Sequence, residues 1–215
     1  MSRFYNLLGA TPLIIWYVWG LSEQIPVFIQ HFPHTPASVL SVFQAIAQAT
    51  NIAFVSFLIL LLIVRDVPKM QARSFAPCAA AQFGTFAATA FLFLPTAALP
   101  VPLLATAMLC IAAGLGLSVY ALIYLGRSFA ILPSARTLVI LGPYRLVRHP
   151  LYLFEEVAVV GIMLQFVQPW SLLIFMAQLA AQFARMHYEE RILTQVFPEY
   201  SAYASRTARF IPGIY

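Results

Sequence analysis

The chain has 215 residues, of which 62% are hydrophobic and 9% charged, with a net charge of +5 and a mean hydropathy of +0.86. Soluble domains average roughly 45–50% apolar and about 25% charged residues. This composition therefore excludes an ordinary soluble domain and defines an integral membrane protein whose solvent is largely the bilayer.

Residues 4–21 read as a first span, with a kink expected at Pro12 and with Trp16, Tyr17 and Trp19 suited to an interfacial belt. The run lacks a small-x-small cleavage pattern, so an uncleaved span is expected rather than a signal peptide. Residues 22–38 read as a loop with Pro26, Pro33 and Pro36. Its His31-x-x-His34 pair has no third ligand, so no metal site is expected. Residues 39–64 form a second span, followed by a tight basic loop from Arg65 to Arg73. Residues 75–94 are a third span, and Pro95 to Pro100 a short turn into a fourth, 101–125. Gly114-Leu115-Gly116 in that span reads as close helix packing through small residues. Cys78 and Cys110 lie in separate apolar segments and read as core residues.

Residues 126–150 leave the membrane and end in Gly142-Pro143-Tyr144-Arg145-Leu146-Val147-Arg148-His149-Pro150-Leu151-Tyr152. Pro150 suits the first turn of a new helix. Residues 151–167 read as a fifth span and Gln168-Pro169-Trp170 as a turn. A sixth span starts at Ser171 and continues beyond the membrane as helix to about Phe197, where Pro198 ends it. The aromatic, basic tail to Tyr215 is expected to pack on the surface.

The expected fold is thus an all-α polytopic bundle of about six transmembrane helices, forming one integral membrane domain over 1–215. All twelve Lys and Arg residues fall at Arg3, in 65–73, in 127–148 or in 185–209. With six spans and both termini in the cytosol, every positive charge is cytosolic, as the positive-inside rule requires. That accounts for the basic balance, partly through anionic headgroups. No nucleic-acid partner is expected. Oligomeric state stays open, because lipid-facing and partner-facing apolar surfaces look alike.

In so apolar a chain, clustered polar chemistry must be paired or wet. A helix starting at Pro150 places Tyr152 and Glu155-Glu156 on one face. The two acids suit either the helix dipole or a site. A second cluster, Glu189-Glu190-Arg191, follows the last span. There Arg185 and Glu189, and likewise His187 and Arg191, stand four apart as surface pairs would. A three-residue turn forces spans five and six side by side, returning Glu189-Glu190 close to His149 and Tyr152.

Gly142-Pro143-Tyr144, Arg148-His149-Pro150-x-Tyr152 and Glu189-Glu190, followed by Phe197, Tyr200, Tyr203 and Ile211-Pro212, resemble the membrane methyltransferases that include isoprenylcysteine carboxyl methyltransferase and the phospholipid methyltransferases. The resemblance covers roughly 115–215, while 1–114 match only as apolar spans. It departs after the motif tyrosine, where the family often has Leu-Gly and this chain has Leu153-Phe154 and two acids. It implies S-adenosylmethionine as methyl donor, bound on the cytosolic side of a multi-pass, bacterial-type inner-membrane protein. The cofactor-binding residues it implies are Gly142, Tyr144, His149, Pro150, Tyr152, Glu189 and Glu190. His149, Arg148 and Glu190 are the catalytic candidates. A lipid-like or membrane-bound acceptor is expected, with its carboxylate or amine as the methylated group. Two other readings stand beside this one. An NADPH-dependent reductase of sterol-reductase-like architecture would use Arg136, Arg145, Arg206 and Arg209 for a phosphate. A non-enzymatic membrane protein would use the clusters as anchors.

Overall fold

A computed structural model of the chain describes residues 3–32 and 38–213. Helix α1 spans Arg3–Leu8 and α2 Thr11–His31. Pro12 sits in the first turn of α2, where its missing N–H would have had no partner in any case. It starts a helix rather than kinking one. The expected loop at 22–38 is corrected in its first part, because α2 runs on through Pro26 to His31. One internal proline removes one hydrogen bond, whereas ending the helix in an apolar medium would leave several backbone groups unpaired. His34 lies outside the described residues, and the His31–His34 pair with it.

Helix α3, Val39–Val64, is entered through a capping box between Ser38 and Ser41. Helix α4, Phe75–Phe86, continues as a 3-10 helix over Ala87–Phe93, and α5 covers Val101–Leu125. The connecting segments add one small departure from all-α structure. The two-residue strands β1 (Met70–Gln71) and β2 (Ser134–Ala135) pair antiparallel, Met70 opposite Ala135. Helix α6 spans Pro150–Met163, with Pro150 in its first turn as the sequence predicts. Helix α7 spans Trp170–Val196 and is capped at Phe197, just before Pro198. A last short helix, α8, covers Tyr200–Ala204.

The protein is mostly helical, and among the described residues four stretches are long and apolar enough to cross a membrane: Thr11–Gln30, Val39–Val64, Phe75–Phe93 and Val101–Ser128. Helices α6 and α7 form the expected hairpin but differ from these four. With 14 residues, α6 is only about 21 Å long. The 27 residues of α7 carry Gln178, Gln182 and Arg185 buried in their apolar part.

Helix α5 seats against α6 through small residues. A Cβ on Gly114 would meet the Ala158 nitrogen at 2.5 Å, and one on Gly161 the Ala107 oxygen at 2.5 Å. Gly116 has room, its nearest neighbour being Thr50 Cγ2 at 3.8 Å. At the end of the bundle away from the motif, the 95–97 and 165–167 turns are stitched by Ala97 donating to the Gln165 carbonyl and Val167 donating to that of Pro95. The principal core lies among α3, α5 and α6 and includes Leu62, Leu122 and Met186 of α7. Exposed side chains such as Phe75, Leu92 and Phe93 suit a surface that faces lipid.

Candidate active site

The central motif is held by three neighbours: α5, α7 and the C-terminal tail. Gly142 opens a 3-10 turn, Gly142–Arg145, with φ at +58°. A side chain there would be strained in φ and would also strike the Tyr124 ring of α5 at 2.5 Å. The tail runs back along the motif. Arg148 and His149 donate their backbone N–H to the carbonyls of Ala208 and Arg209, at 2.8 and 3.2 Å, and Phe210 is buried. The tail therefore packs, as expected, and it packs on the motif itself.

On this frame the two polar clusters meet. His149 lies 3.2 Å from Glu190 through Nε2 and Oε1. The Tyr152 hydroxyl donates to Glu189 Oε1 at 2.5 Å. The His149 and Tyr152 rings stack at 5.6 Å with 8° between their planes. Arg185, one turn earlier on α7, donates to the same Glu189 oxygen at 3.3 Å and lies 4.7 Å over the Tyr152 ring. Arg185 also donates to the Ala130 carbonyl and to the Thr85 hydroxyl, which ties α7 to the 126–149 segment and to α4.

Glu190 occupies a different position from Glu189. Its carboxylate is gripped by Arg148 Nε at 3.1 Å, His149 at 3.2 Å and Arg209 Nη2 at 3.2 Å. Burial pushes the Glu190 carboxyl up, but His149, Arg148 and Arg209 together outweigh it and hold the group below the usual carboxylate range.

A cavity of about 100 Å³ lies beside this network, walled in part by Tyr144, Arg148, His149, Tyr152, Glu189 and Tyr203. Three other candidates stand outside the wall. Gly142 is pressed on Tyr124, Pro150 is wholly buried at the start of α6, and Glu190 faces Arg148, His149 and Arg209. The Tyr144 hydroxyl is buried and has no partner among the described residues. Burial, followed by the charges of Glu189 and Glu155, holds this phenol well above its usual value, so it remains an O–H donor. The Tyr203 hydroxyl donates to the Tyr144 carbonyl at 2.6 Å and fixes that wall.

The aromatic faces of His149 and Tyr152, the Glu189 carboxylate, the guanidiniums of Arg148 and Arg136 and the Tyr144 phenol suit a cofactor that carries an adenine, a ribose and an amino acid group. The cavity is smaller than the roughly 300–1,000 Å³ that sites for such ligands usually enclose.

The sequence underrated Arg185, Arg209, Tyr200 and Tyr203. Arg185 looked like half of a surface i,i+4 pair, yet it is buried. Its signal was a charge standing within an apolar helix. Glu155 and Glu156 lie past the first turn of α6 and face α7. There Gln178 donates to Glu156 at 2.8 Å, and Gln182 to Glu155 at 3.5 Å. The phosphate-binding set of the reductase reading does not gather. Arg145 and Arg206 are exposed, Arg209 is on Glu190, and Arg136 is on the Asp66 carbonyl. Among the described residues no three His, Cys, Asp or Glu side chains form a metal site.

Residues 96–200 match the model of the phospholipid methyltransferase family. Over that stretch the chain is similar to the membrane methyltransferases that its motif resembles, and that family's description implies methyl transfer in general. The match begins in the turn before α5 and stops at Tyr200, short of the tail. The chain is also similar to the cobalt-zinc-cadmium resistance protein CzcN of Cupriavidus metallidurans, at 39% identity over 83 residues, covering 36% of this chain and 37% of that protein. It is similar as well to the nickel-cobalt-cadmium resistance protein NccN of Alcaligenes xylosoxydans xylosoxydans, at 37% over 82 residues, with 36% and 37% covered. The match thus spans little more than a third of either relative.

Proposed function

We propose that the protein is an S-adenosylmethionine-dependent methyltransferase that acts on a lipid-like or membrane-bound acceptor at the cytosolic face. The reading takes α6 and the apolar part of α7, residues 171–184, as the fifth and sixth membrane segments, with both termini in the cytosol. One observation carries it. Within the family-matched stretch, Arg148, His149 and Tyr152 converge with Glu189 and Glu190 from another helix beside a cavity with an unpartnered phenol.

S-adenosylmethionine supplies a methyl group on a sulfonium, open to in-line attack. The chain's own work is to bind, orient and exclude water. Tyr152 and His149 offer a stacked aromatic panel, and Tyr144 an O–H donor. Glu189 is oriented by Tyr152 and Arg185 and can accept from an ammonium or from ribose hydroxyls. Arg148 can meet a carboxylate. Glu190 fixes the orientation of Arg148, His149 and Arg209, which makes it a positioning residue. A carboxylate acceptor needs no base. An amine acceptor must lose a proton, and His149, on the cavity wall, is placed to take it.

Calorimetry on the detergent-solubilised protein tests this reading. S-adenosylhomocysteine should bind saturably and NADPH should not, and Glu189→Gln should weaken the former by about tenfold or more. Saturable NADPH binding with none for S-adenosylhomocysteine would reject it. The relatives' names speak of metal resistance, but no grouping of side chains among the described residues supports carrying metal binding to this chain.

A further inference from the structure

A second cavity, of about 590 Å³, lies on the other side of the 130–136 segment, beneath α1 and between α2 and α4. It has two chemically different ends. Leu13, Trp16, Phe86 and Ile131 make one end apolar, and Trp16 meets Phe86 edge-on at 6.0 Å between α2 and α4. Arg65, Arg136, Asn6, Gln71 and Ser134 make the other end polar.

The two guanidiniums are short of counter-charge. Arg136, 4% exposed, donates to the Asp66 carbonyl at 2.7 Å, to the Ser134 hydroxyl, and to Asn6 Oδ1 at 3.4 Å. Arg65 donates through Nη2 to the Asn6 carbonyl at 2.8 Å, and its buried Nε has no partner. Every one of these acceptors is neutral. The nearby Asp66 carboxylate is on Arg127 at 2.6 Å, and among the described residues neither Arg65 nor Arg136 forms an ion pair. Burial, and then the charge of Arg65, bring the Arg136 guanidinium down to about 10. Two guanidiniums carry ten N–H donors in fixed forks, far more than four neutral acceptors use. Buried cations of one sign are retained where an anion completes them.

The cavity also has a definite relation to the proposed methyl-transfer site. Ala130, Leu132, Ser134 and Arg136 wall both cavities, so a ligand in one abuts the other. Its polar end lies at the C-terminus of α3, on the side of the bundle that carries the motif.

We propose that this second cavity is the acceptor's anchoring subsite: Arg65 and Arg136 hold an anionic head, phosphate or carboxylate, of an amphipath whose apolar tail lies between α2 and α4. The inference rests on the methyl-transfer reading and deepens it by naming the acceptor as an anionic lipid. Asn6, Trp16, Arg65 and Phe86 all precede the family-matched stretch, while Ile131, Ser134 and Arg136 lie within it, so the subsite is shared between the matched stretch and the part before it. Arg136 of the 126–149 segment then senses both ligands at once.

The test is titration of the solubilised full-length protein with amphipaths of one tail and different heads: decyl phosphate, decanoate, decyltrimethylammonium and inorganic phosphate without a tail. Both anionic amphipaths should bind saturably, at least about tenfold tighter than the cationic one. Arg65→Gln should remove most of that preference, and Arg65→Lys should keep part of it. Both variants should still bind S-adenosylhomocysteine as the unaltered protein does. The head-group series on the unaltered protein decides the matter even if the variants fail to fold. Binding indifferent to the head, or unaffected by Arg65→Gln, would overturn the inference. So would inorganic phosphate competing as well as decyl phosphate, which would make this a free-anion site. Anionic amphipath binding in a protein that ignores S-adenosylhomocysteine would instead sink the methyl-transfer reading and leave an anionic lipid site. Binding of S-adenosylhomocysteine without head-group preference would sink only the anchoring subsite.

Discussion

Glu190 is held by two guanidiniums and an imidazole from two segments, and its loss should be felt in stability before chemistry. Replacing it by Gln leaves Arg148 and Arg209 partly buried without their shared anion, at a cost of about 2 kcal/mol. The pH dependence follows in sign. The folded carboxyl titrates below the unfolded one, which lies near 4.3. Its stabilisation is therefore complete above that value and is lost as pH falls through the folded value. Thermal midpoints in detergent should show the unaltered protein losing more than Glu190→Gln between neutral and acid pH; parallel curves would contradict the network. The meeting of Glu189-Glu190 with His149 and Tyr152 was legible in the sequence, because the short turn at 168–170 leaves the hairpin no other geometry. Which oxygen serves which partner was not. Arg209 arrives from a tail without periodicity, and the burial of Arg185 depends on Thr85 and Ala130, which are far away in sequence.

At the scale of helices, α5 and α6 make the closest contact through Gly114 and Gly161, the packing that Gly114-Leu115-Gly116 suggests. Its two glycines should behave oppositely. Gly114→Ala drives a methyl into the backbone of α6 and should cost about 1–3 kcal/mol. Gly116→Ala meets only Thr50 at van der Waals distance and should be neutral, or stabilising by up to about 1 kcal/mol through helix propensity. Equal thermal midpoints for the two variants would refute this account of the helix pair. The end of α7 was readable from Pro198, and the start of α5 from the turn that closes at Pro100. The end of α2 was not, since Pro26 reads as a breaker in water, where freed backbone groups are solvated, and not in lipid, where they are orphaned. The length of α6 escaped the hydropathy pattern, which carries the fifth span on to residue 167 where the helix stops at Met163, because an apolar residue facing protein looks like one facing acyl chains.

For the whole molecule, two features described above act together. Helix α6, at about 21 Å, falls short of a hydrocarbon layer about 30 Å thick. The loop that feeds it exposes Leu141 and Leu146, at 66% and 69%, beside the motif. If its far end reaches the opposite interface, the motif end of α6 lies several ångströms below the headgroups, with these leucines among acyl chains. A spin label on Leu146→Cys, with Cys78 and Cys110 replaced by Ser, should be relaxed by oxygen more than by a water-soluble nickel chelate. The reverse would place the loop in water. A recessed site makes bilayer thickness a determinant of rate. In nanodiscs of graded acyl length, turnover should peak where the membrane matches the short helix and fall as thicker lipid draws the reaction centre away from the aqueous cofactor pool.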